Sequence, residues 1–422
     1  MSRAQATGMP FRGNPEGIGL LSDNTPRSPE AQLLILCARS TVSNRDRMRM
    51  AEILRQNVRW PVVLDLIQFH GVGPLVSHNL QGCEAKRVPG DLLETLSQQA
   101  QAVKLVNHAL LGELLRLCRA FESQGVQVVP FKGPVLAVMA YRDLSLRDMD
   151  DLDFFVPRSH LAEAERVLWS QGYRPRRQVS NRVQGTEAGY CFVKKDSMLR
   201  VDLQSKLDDE RLPFRFDRRG FWKQLAPIGL NGSYVRGMAP EQLLVALCMH
   251  GAVRAWSRLK WVVDVAELLK RQRLDWRRVF AAAAEWKSRR MLLLGLALAH
   301  RMMEAPLPHD VRWDLQHDPD VPVLAPRMPA TLLLRRSEAV DEVQVSAMLL
   351  SLQDSRWNRW SYSVALARAN HPILVRPPGW CRFDGTLRWA SRLVEALRRP
   401  AVVRVPVKSL IQTIDRIRAS AR

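Results

Sequence analysis

The 422-residue sequence contains only six cysteines, Cys37, Cys83, Cys118, Cys191, Cys248 and Cys381, and no two of them form a C-x-x-C pair. That pattern argues against a zinc ribbon or a disulfide framework, and thiols set in apolar helical stretches such as LLRLCRAF are expected to be reduced and buried. Acidic residues are also few: 42 Asp and Glu face 63 Lys and Arg, for a formal charge of +21. Such an excess attracts polyanions, nucleotides or acidic lipid surfaces without choosing among them. Long apolar runs are missing as well. Residues 1–30 hold no stretch of signal-peptide length, and the longest later run, MLLLGLALA at 291–299, is too short to span a bilayer. A cytoplasmic protein without membrane insertion is expected. No repeat of solenoid period and no RRM, KH or helix-turn-helix signature is evident.

A hydrophobic content of 46% over this length is enough for two or three domains with sizeable cores. Residues 1–27, rich in Gly, Pro, Ser and Asn and without periodicity, read as a disordered tail. Ser28-Pro29-Glu30 reads as a helix start, and residues 28–125 form an N-terminal helical region with apolar residues at spacings of three and four. After Gly125 the period changes. VQVVPFKG is a short β-branched run, PVLAVMAYR a helix, DLDFFV a strand and SHLAEAERVLWSQGY a helix, while GYCFVKK and MLRVDLQ can pair as further strands, so 126–215 reads as a small α/β sheet. Helical periodicity returns in APEQLLVALCMHGAV, WVVDVAELLKRQ, WRRVFAAAAEWK and MLLLGLALAHRMM, marking 216–310 as a helical domain. Residues 311–422 read as a proline-containing linker and a basic, mostly helical C-terminal region. The proline-rich stretch 306–330 is the expected irregular connection, and the last 37 residues, from Thr386, carry nine Lys or Arg against two acids. Val407, Leu410, Ile411, Ile414 and Ile417 form a helical stripe there, expected to dock on the protein itself rather than on a membrane surface.

The sharpest chemical signal is Asp151-Leu152-Asp153 in the strand DLDFFV, because residues i and i+2 of a strand share a face. Two adjacent carboxylates repel unless a cation lies between them, and magnesium, a hard ion that works with phosphates, suits that role. Asp202 in LRVDLQ could come alongside on a neighbouring strand. Upstream, Lys132-Gly133-Pro134 marks a strand-to-helix turn where glycine permits close backbone approach and the helix start offers donors to phosphate. Arg147 could reach a phosphate or brace the carboxylates with a bidentate bond. Each feature alone has a plainer reading, a solvated strand edge or an ordinary turn; their order along the chain is what makes them informative.

That order, in FKGPVLAVMAYRDLSLRDMDDLDFFVPRSHLAEAERVLWSQGYRP, resembles the uncharacterised nucleotidyltransferase family of bacteria within the DNA polymerase beta superfamily. NVRWPVVLDLIQFHGVGPLVSHNL before it and PEQLLVALCMHGAVRAWSRLKWVVDVAELL after it resemble the same family, so the likeness spans about 30–310. The resemblance implies an α+β fold, with a small mixed-sheet nucleotidyltransferase core flanked by N-terminal and C-terminal helical segments. It implies Asp151, Asp153 and Asp202 as metal ligands and catalytic carboxylates, Lys132, Gly133 and Arg147 as contacts to an NTP, and two magnesium ions clamping the attacking oxygen and the leaving pyrophosphate. The acceptor it leaves open as a small molecule, a protein or RNA. Two positions depart from the family pattern: Pro134 removes an amide donor after Gly133, and Gln204 stands where histidine is frequent. His250 and Asp264 also fall at positions that the resemblance marks, either as a polar pair tethering helices or as a contact to acceptor or base. Trp256 and Trp261 are expected in the core, and His70 at a helix end.

Overall fold

The protein was analysed as a computed structural model that describes residues 28–82, 87–176, 190–195, 197, 199–205, 219–329 and 342–368. The expected tail 1–27, Cys83, Cys381 and the basic stretch from Thr386 lie outside these residues.

Helix α1 (Pro29–Cys37) starts as its sequence implies, with the Ser28 hydroxyl accepting from the Ala31 amide and proline in the first turn. Helix α2 (Asn44–Leu54) is closed by a Ser43/Asp46 capping box. Helix α3 (Trp60–His70) stops at Gly71, whose φ of 63° is the left-handed conformation that ends a helix, and α4 (Gly73–Gln81) follows at once. Helix α5 (Gly90–Ser123) is 34 residues long and spans two cores. Its first part buries Leu92 and Leu96 among the N-terminal helices, and its last part buries Leu110, Leu114, Leu117 and Phe121 under the sheet.

The sheet contains β1 (Val129–Phe131), β2 (Asp151–Phe155), β3 (Tyr173–Pro175), β4 (Tyr190–Lys194) and β5 (Arg200–Gln204) in the order β1-β2-β5-β4-β3. Only β2 and β5 run parallel; the other neighbours are antiparallel. Short α6 (Gly133–Leu136) passes directly into a π-helical turn, Ala137–Tyr141, where the sequence reads as one helix. Helix α7 (Leu161–Ser170) crosses between β2 and β3. Leu152, Phe154, Val201, Leu203 and Phe192 face α5 and α7 in the smaller core. The other face of β2 and β5 carries Asp151, Asp153, Arg200, Asp202 and Gln204, with Phe155 at its edge turned into the larger core.

A hairpin, β6 (Ala226–Leu230) and β7 (Ser233–Gly237), follows the short helix α8 (Arg219–Lys223) within the stretch expected to be helical. Asn231 and Gly232 form its turn with φ of 47° and 77°, the left-handed pair that a two-residue hairpin requires and that an Asn-Gly dipeptide supplies. Helices α9 (Pro240–Val253), α10 (Leu259–Arg271), α11 (Trp276–Glu285) and α12 (Arg289–Met303) share one core with α1–α4 and with Val129, Phe131 and Phe155 of the sheet. The helical segments before and after the sheet are thus packed together.

The described part of the proline-rich stretch holds two helices rather than a wholly irregular connection. Helices α13 (His309–His317) and α14 (Val321–Leu324) bury Val311, Leu315, Val321 and Leu324, because Pro308 sits at one helix start and Pro322 in the first turn of the other, where no amide is needed. Arg290 joins α12 to this region through Asp318 and Asp320, at 3.2 and 3.1 Å. Helices Glu342–Ser351 and Arg356–Arg368 follow. Among the described residues no helix is long and apolar enough to cross a membrane.

One buried carboxylate ties α5 to the far strands. Glu113 accepts from Arg116 Nε and Nη2 at 2.8 and 2.7 Å, from the Tyr173 hydroxyl at 2.7 Å and from Lys194 Nζ at 3.0 Å. The Arg116 hydrogen bonds, with those of Tyr173 and Lys194, hold its carboxyl down at about 2 against the effect of burial. A depressed folded-state value gives stability that is full above the unfolded carboxylate range and lost as pH falls towards 2. Glu113→Gln is therefore expected to destabilise the fold by roughly 2–3 kcal/mol at neutral pH. Urea unfolding of the two proteins as a function of pH should show that difference shrinking as the solution is acidified through pH 4.

Candidate active site

The turn after β1 is unusual in its backbone. Lys132 has φ 58° and ψ −137°, and Gly133 follows at φ 44°, so two successive residues occupy the positive-φ half of the map. Glycine accepts this freely, but lysine does not, and strain of this kind is retained only where surrounding contacts enforce it. The contacts are visible. The Lys132 side chain is buried, its ammonium lies 4.6 Å from the centre of the Phe131 ring, and it donates a hydrogen bond to His250 Nδ1 at 3.1 Å.

Strand β2 brings in the carboxylates. Asp151 and Asp153 share the polar face, and the parallel register sets Asp153 directly beside Asp202 of β5. Asp202 in turn lies opposite Cys191 of β4, whose thiol donates to it and is itself pushed up to about 12 by burial and by the Asp202 charge. Burial raises the Asp153 carboxyl to about 7, with Asp151 and Asp202 adding repulsion and Lys132 and Arg147 opposing it. Burial also raises Asp202, reinforced by Asp151 and opposed by the Cys191 hydrogen bond. Gln204, two residues beyond Asp202 on the same face, donates to Asp153 Oδ1 at 2.7 Å. Asp202 Oδ1 is buried with no hydrogen-bond partner.

Arg147 and Asp264 are placed differently from the expectation attached to them. Arg147 closes its fork on Asp264 of α10, with Nε and Nη2 at 2.8 and 3.0 Å from the two carboxylate oxygens, and both side chains are buried. The Tyr141 hydroxyl donates to the same Asp264 oxygen at 2.8 Å, and Asn107 of α5 holds the Arg147 carbonyl at 2.8 Å. Burial works against the Arg147 cation, but Asp264 more than compensates and raises its pKa. Arg147 is thus a tie between the sheet and α10 that also places positive charge near Asp153, rather than an arm extended to a phosphate. His250 and Asp264 each reach out from their own helix, His250 to Lys132 and Asp264 to Arg147. Nothing in the spacing of Tyr141 and Asn107 announced their part in this network, because a single hydroxyl or amide in an apolar helix carries no periodic signal.

Trp256 is fully buried, and Trp261 is partly buried with its ring edge-on to His250 at 5.3 Å. His70 is buried and accepts from the Leu259 amide at 3.2 Å; burial and the nearby Arg258 lower its pKa to about 4, so it is neutral.

Among the described residues, no group of three or more His, Cys, Asp or Glu side chains is placed so that it could hold a metal ion. The acidic face offers the donor type that magnesium takes, though not a gathered three-carboxylate site. Asp151, Asp153 and Asp202 present only oxygen donors, one of those oxygens is buried and unpaired, and magnesium commonly takes one or two carboxylates while water and substrate phosphates complete its shell.

The Arg147–Asp264 pair has a stability signature. Asp264→Asn leaves a buried guanidinium half-partnered and is expected to cost about 3–5 kcal/mol, whereas removing both charges with Arg147→Met and Asp264→Leu should recover a large part of that loss. Denaturant midpoints of the three proteins check this; equal losses in the single and double variants would contradict it.

A family model described as uncharacterised nucleotidyltransferase matches residues 56–304. No curated protein and no solved structure matches the chain. The matched region runs from α3 through α12 and contains the Lys132-Gly133 turn, the acidic face and both ties to α9 and α10. It covers more than half of the sequence, and the chain belongs to this uncharacterised nucleotidyltransferase family.

Proposed function

We propose that the protein transfers a nucleoside monophosphate from an NTP to an acceptor hydroxyl in a magnesium-dependent reaction. The observation that carries this reading is the coincidence, on one sheet face, of Asp151, Asp153 and Asp202 with the strained Lys132-Gly133 turn. Asp151 and Asp153 would hold magnesium with Asp202, and two bound ions would offset phosphate charge and stabilise the attacking and departing oxygens.

The remaining work falls to the chain itself. Gly133 lets the backbone approach the phosphates, and Lys132, steadied by His250 and Phe131, supplies positive charge beside Asp153. Asp202, whose affinity for a proton is raised, is suited to take the proton of the acceptor hydroxyl as its oxygen bonds to the α-phosphorus. The bond from the α-phosphorus to the bridging oxygen breaks, and pyrophosphate leaves with that oxygen. The acceptor is a small molecule, a protein or RNA; the charge of +21 favours an anionic one. A cytoplasmic setting suits both an NTP substrate and the scattered thiols.

A second reading, nucleotide binding without turnover, is favoured by one contact: the Gln204 amide occupies Asp153 Oδ1, an oxygen the metal would need. Phosphoryl transfer on the same scaffold would instead move the γ-phosphate.

The three readings separate in one assay. Purified protein, magnesium and cell extract are incubated with NTPs labelled at the α- or the γ-phosphate. The proposed reaction labels an acceptor from the α-position alone, and Asp153→Asn reduces that label by roughly 10²–10³-fold. Because the substitution removes a repelling charge, the thermal midpoint of Asp153→Asn should stay level or rise. Label from the γ-position alone would indicate phosphoryl transfer, and NTP binding without either label would indicate a binding module.

A further inference from the structure

The N-terminal end of α12 borders a cavity of about 740 Å³, within the range that small-molecule sites occupy. Its walls come from three places: the turn between α11 and α12, helix α13 with the residues that follow it, and the start of the helix Arg356–Arg368. No residue of the acidic face or of the Lys132-Gly133 turn lines it. Apart from Ala284, Lys287, Arg289 and Arg290, its lining falls beyond the residues that the family model matches.

Polar contacts hold these walls in place. Asp354 accepts from the Arg289 and Arg290 amides at 2.8 and 2.9 Å and so caps α12 from a distant part of the chain. Arg289 Nη2 meets Asp314 of α13 at 2.9 Å, and Arg290 Nε meets Asp318 at 3.2 Å. Asp318 also accepts from the Asp320 and Val321 amides at 3.0 and 3.1 Å. Each carboxylate and each arginine of the lining is therefore engaged within the protein.

The groups that the lining leaves unused are of another kind. Trp313 and Trp357 are 53% and 39% exposed, although indoles ordinarily gain by burial. Each is backed by a second, nearly parallel ring, Trp313 by His317 at 3.9 Å and Trp357 by Trp360 at 4.8 Å. Asn358 is the reverse case: its side chain lines the cavity, only 4% of the residue is exposed, and among the described residues its side-chain amide makes no hydrogen bond. A buried amide without partners is a cost that a ligand with a donor and an acceptor would relieve. Lys287, in the left-handed conformation at φ 52°, is exposed at the same cavity, and among the described residues its ammonium makes no ion pair or hydrogen bond.

Two backed indoles, a buried amide and one uncommitted cation match the parts of a nucleotide: a planar base that stacks, a base edge that both donates and accepts, and a phosphate. An aliphatic ligand would leave the amide unmet, and a bare anion would leave the indoles uncovered. We propose that this cavity binds a nucleotide, with its base against the Trp313 and Trp357 indoles, the base edge on the Asn358 amide and the phosphate on Lys287. A free nucleoside monophosphate and one unit of a single-stranded RNA present the same groups. The inference does not rest on the nucleotidyl-transfer reading, because the acidic face takes no part in the cavity.

The test titrates the full chain by calorimetry with AMP, adenosine, ribose 5-phosphate and a tetra-adenylate RNA, comparing wild type with Trp313→Ala, Trp313→Phe and Lys287→Met. Both side chains are exposed, so the thermal midpoints should stay at the wild-type value. Trp313→Ala is expected to weaken AMP by about tenfold and Trp313→Phe to restore most of that loss. Lys287→Met should weaken AMP by roughly threefold or more while leaving adenosine within about twofold. RNA bound about tenfold more tightly than AMP, with the same dependence on Trp313, supports the site and assigns it to RNA; equal affinities support it and assign it to the free nucleotide. The same losses should appear with Asp153→Asn as the parent protein, and losses seen only with Asp153 intact would overturn the proposal in favour of the acidic face. It is equally overturned if wild type binds neither AMP nor RNA, if ribose 5-phosphate binds as tightly as AMP, or if Trp313→Ala keeps wild-type affinity. Absence of α-label transfer with AMP binding still dependent on Trp313 would remove the transfer reading and leave this site standing.

Discussion

The parallel pairing of β2 with β5 places Asp153 beside Asp202, and that like-charge contact is the constraint around which the rest of the molecule is arranged. Parallel strands need a connection that leaves the sheet and returns, and here it includes α7, β3 and β4. The outcome is a pair of carboxylates brought together by backbone register rather than by side-chain choice. Their mutual repulsion is relieved partly by proton uptake, as the raised Asp153 and Asp202 values indicate, and partly by cations delivered from elsewhere.

Those cations are held from outside the sheet. Lys132 is steadied by His250 of α9, and Arg147 is clamped by Asp264 of α10 with help from Tyr141. Both ties join the same pair of helices to the sheet, and α9 and α10 are themselves embedded in a core shared with the N-terminal helices. Mechanical support for the acidic face therefore comes from residues distant in sequence, and the helical segments on either side of the sheet act as one scaffold. This explains why the acidic face of β2 and β5 with strained backbone at Lys132 can persist: the local cost is offset by burial that the scaffold provides.

How much of this was legible beforehand varies with the kind of signal. Asp151 and Asp153 could be assigned to one face because a strand period of two is local information, whereas the register with Asp202 required that MLRVDLQ pair as a neighbouring strand with DLDFFV. The β6–β7 hairpin was readable in principle from Asn231-Gly232 between alternating residues, but the helical text after Arg236 dominated the stretch. Prolines 308 and 322 read as breakers of structure and turned out to start helices, since a proline's missing amide is harmless only in the first turn and spacing alone does not say which turn it occupies. The partner of Arg147 was beyond reach for another reason. An arginine near acids in sequence has many partners available, and the choice of Asp264 is made by tertiary packing, more than a hundred residues away, as the Arg147–Asp264 separation of 117 shows.

Positive φ at residues other than glycine recurs at several places, among them Arg142, Asn231, Lys287 and Glu304, but at Lys132 it coincides with a buried cation beside the acidic face. A chain selected for stability alone would place glycine at 132, because that change relieves a cost that the surrounding contacts merely contain. Strain that holds a positive side chain next to paired carboxylates is what the proposed nucleotide site would need, and the buried, unpaired oxygen of Asp202 fits the same reading.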